Sequence, residues 1–325
     1  MSESKLPRLA TRNPDRQGRM AKMSVVPVID LQESEDNLKK KLREACEEWG
    51  CFRLTNHRFD SSLMAEMKLV ARSLLDLPVE IKMRNTEQVR TATGYIPPSS
   101  ENPFHESLGL YDMVSSHAVQ AFCSQLDASP HQTKVIETYG KASHELLIDV
   151  SEKMAESLGL QNVDAYFKEW ACHFRINKYS FTPETVGSCG VPIHTDPGLV
   201  TILQDDENVG GLQVINNKSG SLVDVPPHPG SFFVILGDIA HVWSNGRFAT
   251  VKHGVECKDP NVRVSMISFL SKEGNIEAPE ELVDSDHHPR LFLPFAYEYY
   301  RNLRMSQKIH AGESLALVRV PTTSN

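Results

Sequence analysis

The chain has 325 residues, 40% of them apolar and 23% charged, and carries a net charge of −8. That balance is ordinary for a globular protein and excludes a basic nucleic-acid-binding face or a polybasic membrane patch. No apolar run approaches the roughly 18–20 residues that span a bilayer, and six cysteines without a CxxC pair suit reduced thiols in a cytoplasmic protein better than a disulfide framework.

Residues 1–24 differ in kind. They hold Lys5, Arg8, Arg12, Arg16, Arg19 and Lys22 against only Glu3 and Asp15. Lacking an apolar h-region, the stretch is no secretory signal. It reads as a disordered leader, with an organellar transit peptide as the alternative. Structured sequence begins with a short strand at Val25–Leu31, and 25–325 reads as a single domain. Leu38, Leu42, Ala45 and Trp49 recur at helical spacing and predict a helix from Glu35 to Trp49. Cys51–Thr55 reads as a strand and Leu63–Leu75 as a helix, with Pro78 as a stop. Gly94, Pro97, Pro98 and Pro103 mark 92–104 as a long loop, and long loops inside compact domains are usually functional. Val135, Tyr139, Leu146, Val150 and Met154 predict a long helix over Ser129–Leu158, closed by Gly159.

Beyond His173 the character changes to short β-rich runs separated by Gly, Pro and Asn clusters. These are Phe174–Phe181, Leu199–Gln204, Leu212–Ile215, Ser231–Leu236, Val251–Cys257 and Val262–Phe269. Such spacing predicts an antiparallel barrel or double-sheet roll. Phe295–Leu317 returns to helix. The expected fold is α+β, a jelly-roll core over about 173–270 with flanking N- and C-terminal helices.

The chemistry concentrates in that core. In Val191-Pro192-Ile193-His194-Thr195-Asp196, positions i and i+2 of a strand share a face, so His194 and Asp196 point into the barrel together. Of 13 histidines, only His194 has Asp two places later. His253 is the best third ligand. Two imidazoles and one carboxylate occupy one face of an octahedral ion and leave the other open, as expected of non-haem iron(II) oxygenases. A structural zinc site would close every position, usually with thiolates. A lone His-x-Asp is more often an ordinary hydrogen-bonded pair, so the downstream residues decide. Arg263 and Ser265 share a strand face ten residues past His253, and a guanidinium fork beside a hydroxyl suits a carboxylate. A second Arg-x-Ser, Arg304-Met305-Ser306, falls in a predicted helix, where i and i+2 do not face each other. It reads as surface. Arg175, Asn177 and Tyr179 alternate on one strand face, which reads either as the metal side or as a polar face in water.

These residues resemble the plant 2-oxoglutarate-dependent dioxygenases from about Val25 to Val320. The resemblance is carried by Pro27-Val28-Ile29-Asp30-Leu31, Glu44–Gly50 and Asn56-His57. It continues through His194–Gly198, Gly210–Val214 and Ser244–Phe248. It implies a double-stranded β-helix fold, with iron(II) at His194, Asp196 and His253. It places the 2-oxoglutarate C5 carboxylate at Arg263, Ser265 and Tyr179, with Asn177 in the same cofactor pocket. Dioxygen is then the oxidant, ascorbate a supporting reductant, and succinate and carbon dioxide are products. Within the family the chain is most similar to the enzymes for auxin oxidation, through Gly94–Pro98, Asn102-Pro103 and the stretch from Phe122 to His131. That likeness implies conversion of indole-3-acetic acid to its 2-oxindole. The alternative is a hydroxylase or related oxidase of an alkaloid, steroid or flavonoid.

Phe104, Leu108, Phe174, Val200 and Phe269 are candidates for the apolar substrate pocket, each also readable as plain core. Arg175 or Tyr95 would meet an anionic substrate. No nucleic acid, membrane or obligate protein partner is implied. Two other classes compete. A binding protein with a decayed site would not need an intact triad, and a zinc hydrolase would not need Arg263 and Ser265. The chain departs from the family pattern at Arg58, where Gly is usual, and at Gly254, where Arg is usual. Gly254 is expected to loosen packing behind His253.

Overall fold

The computed structural model describes residues 25–86 and 94–321, so the expected leader and residues 92 and 93 of the expected loop lie outside them. In chain order the elements are β1 (Val28–Asp30), α1 (Glu35–Glu48), β2 (Cys51–Thr55), α2 (Ser61–Leu75), α3 (Val79–Lys82) and β3 (His105–Leu110). Next come α4 (Ser116–Gln125), α5 (Pro130–Ser157), α6 (Asp164–Phe167), β4 (Ala171–Ser180), β5 (Cys189–His194), β6 (Val200–Gln204) and β7 (Leu212–Ile215). The chain closes with β8 (Leu222–Asp224), β9 (Phe232–Leu236), α7 (Asp238–Trp243), β10 (His253–Glu256), β11 (Val262–Ser271), β12 (Asn275–Ile276), β13 (Phe295–Ala296) and α8 (Tyr297–Gln307).

The helices form where capping and apolar spacing agree. Helix α5 opens on a capping box, Ser129 with Gln132, and has Pro130 at its first turn, a position where the missing N–H costs nothing. It buries Val135, Ile136, Tyr139, Leu146, Leu147, Val150 and Met154. Helix α2 starts at Asp60, whose carboxylate accepts the Ser62 N–H at 2.7 Å.

A seven-stranded sheet runs β1-β2-β9-β6-β11-β4-β3, facing a four-stranded sheet β5-β10-β7-β8. The larger sheet recruits β1, β2 and β3 from outside the expected 173–270 core, and β1 pairs parallel to β2. Register divides this sheet by parity. Pairings such as Ile267 with Arg175 and Leu203, and Ser265 with Asn177, put odd-numbered residues of β4, β6 and β11 on one face. The even-numbered Phe174, Ile176, Val200, Ile202, Val264 and Met266 take the other, in the core cluster shared with α1, α2 and α5. Each large apolar side chain fully buried there contributes about 1.5–3 kcal/mol. A second cluster fills the space between the sheets, with Tyr179, Phe181, Leu203, Leu212, Phe233, Ile235 and Val255.

Local expectations differ in three places. The strand expected through Asp196 ends at His194. Residues 105–110 form a strand where no element was expected, because HESLGL lacks a β-branched signature and its strand state comes from pairing with β4. The C-terminal segment is helical only over α8; Lys308 then turns left-handed (φ 53°) and a 3-10 turn follows at Glu313–Val318.

Candidate active site

His194 and His253 are cross-strand partners in the β5–β10 ladder, which sets their rings 4.3 Å apart at the centroids. Asp196 enters from the turn after β5, and its Oδ1 lies 3.7 Å from Nε2 of each histidine. Three candidate ligand atoms, one from each residue, lie within 4.8 Å of one another.

Backbone carbonyls select the ring edges. His194 Nδ1 lies 2.9 Å from the Pro192 carbonyl and His253 Nδ1 lies 3.3 Å from that of Val251. Donation from Nδ1 leaves each Nε2 lone pair for a metal. Burial, then the neighbouring His253, pushes the His194 pKa well down, so the imidazole is neutral and able to ligate. The other oxygen of Asp196, Oδ2, accepts from Thr201 Oγ1 at 2.6 Å.

The residues expected to receive 2-oxoglutarate meet on β4 and β11, where Arg263 pairs with Tyr179 and Ser265 with Asn177. Arg263 is 1% exposed. Its Nη2 donates to Asp205 Oδ1 at 3.1 Å, and Arg53 Nη1 donates to Asp205 Oδ2 at 2.9 Å. Arg263 Nε and Nη1 and Ser265 Oγ are buried and have no hydrogen-bond partner among the described residues. Leaving such donors unpaired costs about 1–3 kcal/mol each, more for a charged group. A carboxylate seated there satisfies the fork and the hydroxyl together, so these residues fit one end of 2-oxoglutarate, as the triad fits iron(II). The Arg263 guanidinium also lies 5.1 Å from the Tyr179 ring centroid. Burial raises the Tyr179 pKa against the opposing pull of Arg263, so the phenol stays a donor. Asn177 is engaged with His105, Oδ1 to Nε2 at 3.1 Å.

Two cavities flank the metal position and share Pro197 and Arg301. One of about 730 Å³ is lined by His194, Arg301, Arg304 and His310. The other, about 230 Å³, is lined by Asp196, His173, Phe174, Arg175, Phe269 and Arg301. Arg175 and Phe269 therefore sit beside the centre, on the odd face. Phe174 reaches the same cavity, although its ring packs 5.8 Å from Tyr139 of α5. Leu108 and Val200 are fully buried in the core beneath the helices, and Phe104 packs beside Phe181 at 6.5 Å. None of these three lines either cavity. The Tyr95 hydroxyl is bonded to Glu106 at 2.7 Å, away from the centre.

Two expectations are corrected. Gly254 does not loosen the packing, because a Cβ there would stand 2.9 Å from the Val191 carbonyl and 3.0 Å from Ile193 Cδ1. Glycine lets β10 lie flush on β5. Arg304 is not a surface residue: it is 5% exposed and bonds to Thr195, between two of the ligands. The helical argument against a shared face was sound, but it said nothing of what the helix itself packs against. Sequence reasoning also missed Thr201, Asp205 and Asp238. The Gln204-Asp205-Asp206 run closing an apolar strand was the one available signal, since buried carboxylates need cationic partners.

A His-Asp-His triad able to hold iron(II), near a buried guanidinium and hydroxyl without partners and inside a jelly roll, fits a 2-oxoglutarate-dependent non-haem iron dioxygenase. The family profile described as the 2OG-Fe(II) oxygenase superfamily matches residues 170–272, and one described as the N-terminal region of non-haem dioxygenases in morphine synthesis matches 26–134. The chain belongs to this oxygenase family. It is 44% identical over 302 residues to the 2-oxoglutarate-dependent dioxygenase DAO of Oryza sativa subsp. indica, spanning 90% of this chain and 99% of that protein. The crystal structure of the rice dioxygenase for auxin oxidation superposes with a TM-score of 0.82 at 43% identity, covering 91% of this chain and all of that one. The 2-oxoglutarate complex of dioxygenase for auxin oxidation 1 from Arabidopsis thaliana gives 0.78 at 50% identity, covering 82% and 100%.

Proposed function

We propose that the enzyme oxidises indole-3-acetic acid to 2-oxindole-3-acetic acid, inactivating the hormone. The observation that carries this reading is the cavity of about 230 Å³ beside Asp196, where Arg175 and Arg301 stand with Phe269 and Phe174. Arg175 donates to Ser107 Oγ at 2.6 Å, and burial followed by repulsion from Arg301 lowers its pKa to about 10. It is still a cation at neutral pH. Two neighbouring guanidiniums that repel each other favour a shared anion between them. Aromatic walls beside them suit a planar ring carrying a carboxylate. The likeness to enzymes named for auxin oxidation supports the same substrate.

In this reading His194, Asp196 and His253 hold iron(II), and Arg263, Ser265 and Tyr179 hold the C5 carboxylate of 2-oxoglutarate. Asn177 with His105 shapes the wall between the receptor and Arg175. Bound iron supplies oxygen activation, coupled to oxidative decarboxylation of 2-oxoglutarate to succinate and carbon dioxide. The protein contributes placement. Arg175 and Arg301 aim the indole ring from its carboxylate. Residues 25–325 act as one catalytic domain. The reading needs no nucleic acid, membrane or protein partner. A reducing cytoplasmic setting agrees with the six free cysteines, and no described helix is long and apolar enough to cross a membrane.

The test is succinate release with iron(II) and ascorbate, comparing indole-3-acetate with its neutral alcohol analogue and with alkaloid, steroid and flavonoid substrates. Indole-3-acetate should stimulate turnover most. Arg175→Gln and Arg301→Gln should each raise its KM about tenfold while leaving that of 2-oxoglutarate unchanged. Stimulation only by a neutral specialised metabolite would move the enzyme to the alternative reading.

A further inference from the structure

The turn that carries Asp196 is not held by sheet pairing, because β5 ends at His194. It is held instead by the C-terminal segment. Thr195 N–H donates to the His310 carbonyl at 2.8 Å. Arg304 of α8 donates to the Thr195 carbonyl at 2.6 Å and to its Oγ1 at 3.0 Å, and also to the His310 carbonyl at 3.1 Å. The same guanidinium pairs with the carboxylate of Asp238. Asp238 accepts from Tyr300 OH at 2.6 Å and from Thr250 Oγ1 at 3.1 Å, and its own N–H donates to the Asp196 carbonyl at 2.8 Å. Thr195 and Asp238 are fully buried. The residue between two ligands is thus gripped at N–H, carbonyl and hydroxyl, and the ligand that follows it is gripped at its carbonyl.

We propose that Arg304 is a positioning residue for the iron centre. It fixes Thr195 so that His194 and Asp196 converge on one ion, which makes α8 and the loop at 308–311 part of the metal site. The inference rests on the assignment of the three ligands. A planar fork is required, because one group must reach Asp238, Thr195 and His310 at once. An ammonium at this position keeps the ion pair with Asp238 but cannot span all three.

The experiment is anaerobic iron(II) titration of metal-free protein by calorimetry, with the visible charge-transfer band of the iron(II)–2-oxoglutarate complex as a second readout. Arg304→Gln should weaken iron binding by about 10- to 100-fold, the range seen when groups that orient metal ligands are lost, and shift or broaden the band. Arg304→Lys retains the buried charge, so it folds even if Arg304→Gln does not, and it should still lose about fivefold. Leu146→Ala, in the α5 core, serves as the destabilised control and should lower the melting temperature with unchanged iron affinity and band. Iron affinity within twofold of the parent in folded Arg304→Lys would overturn the proposal, as would an equal loss in Leu146→Ala. His253→Ala checks the ligand assignment separately: undiminished iron binding there would fault the triad and not Arg304.

Discussion

Thr201 and Asp196 divide the work of one carboxylate. The 2.6 Å hydrogen bond from Thr201 Oγ1 occupies Oδ2, which turns Oδ1 toward the two histidines at 3.7 Å. Thr201→Val keeps shape and burial but removes the donor, leaving a buried carboxylate oxygen unpaired. Iron affinity should fall about tenfold, measured by titration of the metal-free protein, while the 2-oxoglutarate KM at saturating iron stays within twofold. Unchanged iron affinity would mean that the turn alone orients the carboxylate.

Arg263 should separate the two cofactor functions in the opposite sense. Its unpaired Nε and Nη1 have work only when a carboxylate is present. Arg263→Ala should raise the KM for 2-oxoglutarate by about 100-fold or more, since losing a charged hydrogen-bond partner in a buried site costs about 3 kcal/mol. Iron binding should survive. A KM near the parent value would remove Arg263 from the receptor.

Acid should destabilise the fold through half-buried histidines that are not metal ligands. Burial lowers the pKa of His57, His105 and His241 in the folded protein. The unfolded chain therefore takes up protons first, near pH 6.5. Stability from these groups is complete above that pH and is lost as pH falls toward their depressed folded values. Thermal melting from pH 8 to 5 should show this decline, and His105→Gln should make it shallower. A melting temperature flat across that window would contradict the linkage.

Arg58 takes φ 56°, left-handed backbone that glycine adopts without strain. It is exposed, and its role in the turn is conformational. Arg58→Gly should stabilise by about 0.5–1 kcal/mol, partly offset by the freer unfolded chain, and raise the melting temperature by about 2 °C. Activity should not change.

The legible parts of this protein were those written in local spacing. His194 and Asp196 stand two apart, Arg263 and Ser265 stand two apart, and the 129–158 helix announces its own apolar stripe and its stop at Gly159. Strand β3 and the buried place of Arg304 were not legible, because both depend on what lies opposite in space. The substrate candidates show the same limit within a single strand. Arg175 and Phe174 are neighbours on a strand that alternates faces, yet both reach the cavity beside Asp196, and Phe174 packs against Tyr139 of α5 as well. Sequence fixes that alternation but cannot say which parity faces the metal until one pair, such as Ser265 with Asn177, is located.

That alternation has an evolutionary consequence. On β4 and β11 the odd positions serve the reaction chamber and the cluster between the sheets, whereas the even positions, Phe174 apart, serve the seam with the helices. Selection can therefore retune what the enzyme accepts, at Arg175 or Phe269, without touching the seam with the helices. A scaffold that keeps its two mutational ledgers on opposite sides of one sheet is well suited to supplying many substrate specificities from a single architecture.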